Sequence, residues 1–418
     1  MTYAFMAARN IFRYKRRSFI TAIAIAFGVM MTIAMDGLLV GAETDSARNI
    51  REYETGDAKI YPEGYFQDRL FLPFGNFLEP SDRAAIETAL RLDARGAIPF
   101  APRTVLACEL YFSEEYFAVS GSVTAQLVAL DPALDSGVFR TEQTVSAGRW
   151  LRAADEGVVL GGWLAEDIGA KVGSVVSVEC KGRGGFYQTF DAPVVGIVST
   201  DDPYVNRAYV FMDLSRADEL LALEGAVTEY SLRLGPPNSI DRRVAALEGE
   251  LPAYAGRIYS WERVAEDAIK ITKAKSGGSK IYIFFIFVIA AVGITNTMLM
   301  AVMERKGEIG MMRALGYGSK RIRALFLLEG FGIGLMGTLF GLVFGLAVNW
   351  YMATYGVDFS FMLRDTDAGY RLTGIMRSAW HLQGIVTAVF GAIFISTVVA
   401  WFPSGKILKS EVSDILRN

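Results

Sequence analysis

The sequence predicts an α-helical membrane protein with four transmembrane helices and a large α+β extracytoplasmic domain inserted between helices 1 and 2. Three observations carry this. Apolar residues make up 52% of the 418-residue chain and mean hydropathy is +0.29, yet 21% of residues are charged. Four apolar runs each reach about 20 residues, the length that crosses a bilayer core as a helix with its backbone satisfied. The charge is also divided: residues 42–279 carry 24 basic and 36 acidic side chains, whereas the remainder carries 18 and 9.

Residues 1–18 come first. Phe5, Ala8, Ile11 and Phe12 recur at helical spacing, with Arg9, Arg13 and Arg16 on another face and Arg17 following. This is a basic amphipathic helix on the inner membrane surface, or else an extension of the first span. That span, 19–41, is broken only by Asp36, near its outer end. Its flanking bases and Val40-Gly41-Ala42 also fit a cleavable signal peptide. The apolar stretch Phe19–Met35 is long for such a peptide and an amphipathic segment precedes it, so an uncleaved helix is expected.

Residues 42–279 form the outer domain. Short β-branched runs at 174–180, 192–198 and 209–212 predict strands. Residues 81–91 and 215–223 predict helices capped by Ser81 and Ser215. Helical flanks at 42–100 and 215–279 are expected around a β-rich insertion at 101–214. The run Lys275-Ser276-Gly277-Gly278-Ser279 is expected to be a hinge. Cys108 and Cys180 lie here, and either a disulfide or two buried thiols is compatible with two cysteines.

The second span is 280–303, with Thr295-Asn296-Thr297 able to bond across helices. A turn at 304–323 follows, then the third span 324–349, an outer loop 350–383, the fourth span 384–402 and a tail 403–418. Residues 1–18 hold five bases and no acid, the 304–323 turn six bases against two acids, and the tail three against two. Short cytoplasmic segments are enriched in Lys and Arg. Both termini and the turn are therefore expected in the cytoplasm, and residues 42–279 and 350–383 outside. An acidic outer domain argues against a nucleic-acid partner.

The turn carries the most informative residues. Ile309, Met312 and Leu315 stack at three-residue spacing beside Glu304, Arg305, Glu308 and Arg313. Gly316 suits a left-handed helix stop, and Ser319 a cap for the next helix. The expected product is a short helix across the membrane face, joined to two spans, with an apolar ridge for a partner. In the third span Gly330, Gly334, Gly337, Gly341 and Gly345 fall near one face, a pattern that lets helix backbones approach closely. Glu329, six residues beyond Arg323, reads as interfacial. The lone histidine, His381, lies outside the outer domain, and no clustered Cys or His supports a metal site. No catalytic residues are expected.

Met303–Gly316, followed by Ile322–Glu329 and the glycine-rich span, resembles the FtsX-like permease family of ABC transporters. Ala8–Arg13 with Lys15-Arg16-Arg17 is similar to that family's amino-terminal elbow, and Pro403 with Asp414-Ile415-Leu416-Arg417 to its tail. Ala147-Gly148-Arg149-Trp150, Val158-Val159-Leu160-Gly161 and Ala165-Glu166 resemble the outer domain of the MacB and LolC/LolE branches. Gly56–Tyr61 with Gly64-Tyr65 looks closest to the LolC/LolE branch.

The resemblance implies a type VII permease subunit in the bacterial inner membrane, working with a second permease subunit, identical or different. A separate cytoplasmic ATPase would grip the 304–323 helix and hold ATP and magnesium, with no cofactor on this chain. No Gly-x-x-x-x-Gly-Lys-Ser/Thr occurs, and only 18 residues precede the first span, where MacB-type chains carry a fused ATPase. Lipoprotein or lipid release is the implied activity, with a lipoprotein or a periplasmic adaptor as further partners. MacB-like efflux and FtsX-like signalling to a cell-wall hydrolase are the alternatives.

Overall fold

The computed structural model describes residues 2–13, 15–73, 75–92, 96–112, 120–251, 256–359 and 374–401. The expected tail 403–418, with its Asp414–Arg417 motif, and residues 360–373 of the outer loop lie outside the described residues. Contacts divide the chain into a membrane unit, drawn from Met1–Thr44, Thr272–Phe359 and Ile375–Asn418, and an outer unit built on Asp45–Ile271.

Among the described residues, four helices are long and apolar enough to span a membrane: Ser18–Thr55, Ile283–Glu304, Ser319–Tyr355 and Leu382–Val399. The first and third outrun their apolar stretches. Ile25, Val29 and Ile33 of the first, Ile294 and Met298 of the second, Ile333 of the third and Ala388 and Ala392 of the fourth share one core. The expected hinge at 275–279 is absent, since these residues sit inside the continuous helix Glu266–Glu304. Two glycines cost a helix about 1 kcal/mol each, which a helix this long absorbs. Thr295 and Thr297 do not bond across helices; their hydroxyls donate to Ala291 O at 2.7 Å and Gly293 O at 2.8 Å, within their own helix.

The outer unit contains a ten-stranded sheet. Its strands are β1 (Ala58–Tyr61), β2 (Phe100–Phe112), β3 (Gly121–Leu130), β4 (Val145–Gly148), β5 (Val158–Gly161), β6 (Val175–Lys181), β7 (Tyr187–Val198), β8 (Tyr209–Asp213), β9 (Glu229–Leu232) and β10 (Arg257–Ser260). Their order is β10-β1-β9-β2-β3-β8-β5-β7-β4, with β6 pairing β2 and β7. The parallel pairs are β3 with β8 and β5 with β7. Alternate residues of the sheet, among them Leu110, Leu127, Val178 and Met212, pack against Leu164 and Leu221 of flanking helices. A second core joins Ile60, Tyr230 and Ile258 to Ile86, Leu90 and Leu247.

The flanks are therefore not simply helical: β1, β9 and β10 come from them. These strands are four residues long and carry charge, so no apolar alternation announces them. Lys59 of β1 is buried against Glu229 of β9, with Nζ 2.5 Å from Oε1. Asp57, fully buried, accepts from Arg51 Nη2 at 2.5 Å and from the amides of Leu234 and Gly235 at 2.7 and 3.0 Å. That explains Gly56-Asp57: Gly56 takes φ +69°, and the carboxylate behind it ties two strand ends together. Cys108 and Cys180 face each other in register on β2 and β6 as free, buried thiols.

Both serine caps are corrected. Helix Pro80–Arg91 is capped by Glu79 in a box with Asp82, and Leu214–Leu221 by Asp213, which accepts from the amides of Ser215 and Arg216. Ser319 likewise opens its helix from inside, the cap position being Gly318. Carboxylates one residue upstream reach the free amides and carry the charge that a helix N-terminus favours.

Candidate coupling site

The short helix Lys306–Ala314 is set between the second and third spans. It ends as its sequence suggests. Gly316 takes φ +86°, its amide donates to Arg313 O at 3.0 Å, and the Tyr317 amide donates to Met312 O at 3.0 Å. These two bonds form a Schellman stop.

The helix presents two apolar stripes, and the expected ridge mixes them. Ile309 is fully buried with Val302, Ile322 and Phe326, and Met312 and Tyr317 pack on that cluster. Leu315 lies on the other side, 74% exposed, together with Met311 at 61%. Glu304 and Glu308 are exposed beside them and Arg313 is half-buried. The outward face is thus Glu308, Met311 and Leu315, at spacings of three and four, which is one side of a helix, with Glu304 exposed at the end of the preceding helix. Ile309 belongs to the anchor, because Val302 and Phe326 already flank it on the adjoining helices.

A buried polar node holds this helix in place. Arg305 Nη1 donates to Glu329 Oε1 at 2.7 Å, and Asn10 Nδ2 donates to the same oxygen at 2.5 Å. Glu329 is buried among these helices. One carboxylate so joins the amino-terminal helix Thr2–Arg13, the start of the helix Lys306–Ala314 and the third span. Arg13 Nη1 adds a contact of 3.3 Å to Glu308 Oε1, an exposed pair of small energetic value. Arg9 and Arg16 are exposed, as are Phe5 and Phe12; the side chain of Arg17 is outside the described residues. On the opposite face Ile11 approaches the third span so closely that a Cβ at Gly332 would lie 2.6 Å from its Cδ1.

The glycines of the third span divide between two neighbours. A Cβ at Gly337 would stand 2.7 Å from Ala22 O, and one at Gly341 2.6 Å from Ala26 O. At Gly345 it would meet Ile33 Cδ1 at 3.0 Å. These three face the first span. Gly330 and Gly334 face the fourth, where Cβ atoms would strike Ala400 and Ser396. Such separations leave no room for a side chain, so close backbone approach is built into this unit.

At the outer end, sequence reasoning missed a polar clasp. Asp36 Oδ2 and His381 Nδ1 are 2.7 Å apart. The Ala379 amide donates to Gly37 O at 2.8 Å, and Asn349 Nδ2 to Ala379 O at 3.4 Å. The signal was present in three polar residues set inside or beside apolar runs. Among the described residues, no group of three or more His, Cys, Asp or Glu side chains could hold a metal ion.

The quoted outer-domain motif is structural. Gly148 takes φ +72°, Arg149 pairs with Asp155 through Nη2 at 3.2 Å, and Trp150 packs on Phe211 with ring centroids 5.4 Å apart. The Arg149 guanidinium holds the Asp155 carboxyl below the usual range.

Comparison with known proteins finds two family matches. The MacB-like periplasmic core domain matches residues 18–250, more than half of the chain, and the FtsX-like permease C-terminal region matches 280–412. The lipoprotein-releasing system transmembrane protein LolC of Neisseria meningitidis is 23% identical over 324 residues, covering 75% of this chain and 78% of that one. An uncharacterised ABC transporter permease of Methanocaldococcus jannaschii is 22% identical over all of this chain and 97% of its own. The macrolide export ATP-binding/permease protein MacB of Escherichia coli is 22% identical over 97% of this chain, which spans 59% of that protein.

Proposed function

Because this chain belongs to the FtsX-like permease family and carries its MacB-like periplasmic core domain, we propose that it is the membrane subunit of an ABC transporter driven by a separate cytoplasmic ATPase. The observation that carries this is the outward face Glu308, Met311 and Leu315, with Glu304 exposed just before it, on a helix anchored by Ile309 and by the Arg305–Glu329 bond. An apolar pair with an acidic border fits a protein groove with basic edges. Force on that face passes to the third span through Glu329 and to the amino-terminal helix through Asn10. ATP and magnesium belong to the ATPase, and no phosphate-cradling loop occurs in this sequence. The charge pattern favours both termini and the coupling helix in the cytoplasm of a bacterial inner membrane, with the outer unit in the periplasm.

The work performed is release of lipoproteins or lipids from the outer leaflet, together with a second permease subunit and a periplasmic adaptor. The similarity to LolC supports this reading. Efflux of small molecules or peptides is the second reading, favoured by the match to MacB along nearly the whole chain. The two separate in one experiment. The chain is reconstituted with its ATPase in nanodiscs, and ATP turnover is followed while a triacylated lipoprotein or a macrolide is added. Stimulation by the lipoprotein alone supports release, and stimulation by the macrolide alone supports efflux. A chain that neither binds an ATPase nor alters its turnover refutes both.

A further inference from the structure

The second span carries three polar residues in a row, Thr295, Asn296 and Thr297. The threonine hydroxyls donate to carbonyls of their own helix, as those of Thr387 and Thr397 do in the fourth span. Asn296 is different. It is exposed on the outside of the subunit, and among the described residues its carboxamide has no hydrogen-bond partner. It stands about 10 Å of helix away from Met303 at the end of the span, too far for so short a side chain to reach the bilayer surface. A carboxamide left bare in hydrocarbon is costly, because lipid tails offer it no hydrogen bond.

The rest of that face is equally uncovered. Ile294, Met298 and Val302 turn inward and are buried, whereas Ile289, Val292 and Met300 lie on the side of Asn296 and are each more than half exposed. Gly293, one turn before Asn296 on the same side, has open space where a Cβ would stand. Of the four spans this one is the least covered: 11% of its most apolar stretch is buried within the subunit, against 28–44% in the others.

A carboxamide both donates and accepts, so the partner that meets it fully is another carboxamide. A twofold axis supplies one, because it sets the same patch of two copies face to face. The notch at Gly293 lets the two backbones come close enough for a short side chain to bridge them. We propose that two copies of this chain pair in the membrane through their second spans, Asn296 bonding to Asn296 across a twofold axis beside Gly293. This rests on the reading of the chain as one of two permease subunits, and adds that the two are identical and which face joins them.

The test is energy transfer between full-length chains carrying a donor or an acceptor fluorophore at the amino terminus. They are reconstituted together in lipid vesicles without an ATPase, and transfer is followed as lipid is added. Transfer in the parent should fall along a monomer–dimer curve. Asn296→Leu should move that curve about tenfold or more toward dissociation, and Asn296→Gln, which keeps donor and acceptor, should restore most of the association. Both variants should melt like the parent, since this side chain makes no hydrogen bond within the subunit. Gly293→Leu, which holds the backbones apart, should dissociate as well and gives a second, independent reading. Phe390→Ala, at an exposed position of the fourth span, should associate like the parent. Absence of transfer between identical parent chains, association of Asn296→Leu and Gly293→Leu equal to the parent's, or equal weakening by Phe390→Ala overturns the proposal. A parent that does not self-associate yet still stimulates an ATPase overturns the pairing alone and leaves the coupling reading in place.

Discussion

Arg305 and Glu329 lie 24 positions apart and meet at 2.7 Å with both side chains less than 5% exposed. They belong to successive elements, so the bond fixes the coupling helix to the third span. Glu329→Ala leaves a buried guanidinium without its carboxylate, a change that costs about 3–5 kcal/mol. Thermal unfolding in detergent should show a large loss for this single variant. Arg305→Met with Glu329→Met should recover much of it, because an apolar pair removes both desolvation costs. Equal instability of the single and double variants would sink the account.

The two stripes of the coupling helix give opposite outcomes. Met311→Glu and Leu315→Glu should insert and fold normally but lose co-purification of the ATPase, each removing about 1.5–3 kcal/mol of burial at the contact. Ile309→Glu should instead lower the folded yield, since its side chain is in the core. Retained ATPase binding in the Met311/Leu315 double variant would show that another face docks.

Glycine positions in the third span should be unequal to their exposed neighbours. Gly341→Leu forces its side chain into Ala26 and Val29 of the first span and should lower the melting temperature sharply. Val343→Leu, at a position 65% exposed, should melt like the parent. Comparable melting of the two would contradict the packing described.

Alkali should destabilise the outer unit. Burial is the first cause that pushes the phenols of Tyr61, Tyr65, Tyr209 and Tyr230 above their ordinary value of 10.0. Above about pH 10 the unfolded chain releases these protons while the folded one holds them, so stability falls as pH rises. Urea unfolding followed across that range should show a decline that Tyr209→Phe makes shallower. A flat profile would contradict it.

Much of this was legible beforehand where one physical signal dominated. Long apolar runs located the spans, and the β-branched stretches later found as β6, β7 and β8 were readable for the same reason. Gly316 announced its stop because few other residues adopt its backbone conformation. Legibility failed where signals overlapped or were distant. Ile309 and Met311 sit in two interleaved stripes, and only the neighbours Val302 and Phe326 decide which faces inward. β1, β9 and β10 are short and charged, so Lys59 and Glu229 read as surface residues until they are paired. The caps Glu79 and Asp213 stand two positions before Ser81 and Ser215, the residues from which the sequence starts these helices. Asp36 and His381 are 345 residues apart, and no local pattern joins them.

The pairing of Lys59 with Glu229 also constrains how this chain can change over generations. Losing either partner strands a charge in the interior, whereas exchanging both for apolar residues of similar bulk is nearly neutral. A lineage can therefore leave this arrangement only through a poorly folded intermediate or by two substitutions arriving together. Positions 59 and 229, 170 apart in the chain, are bound to a shared history, and descendants should differ at both or at neither.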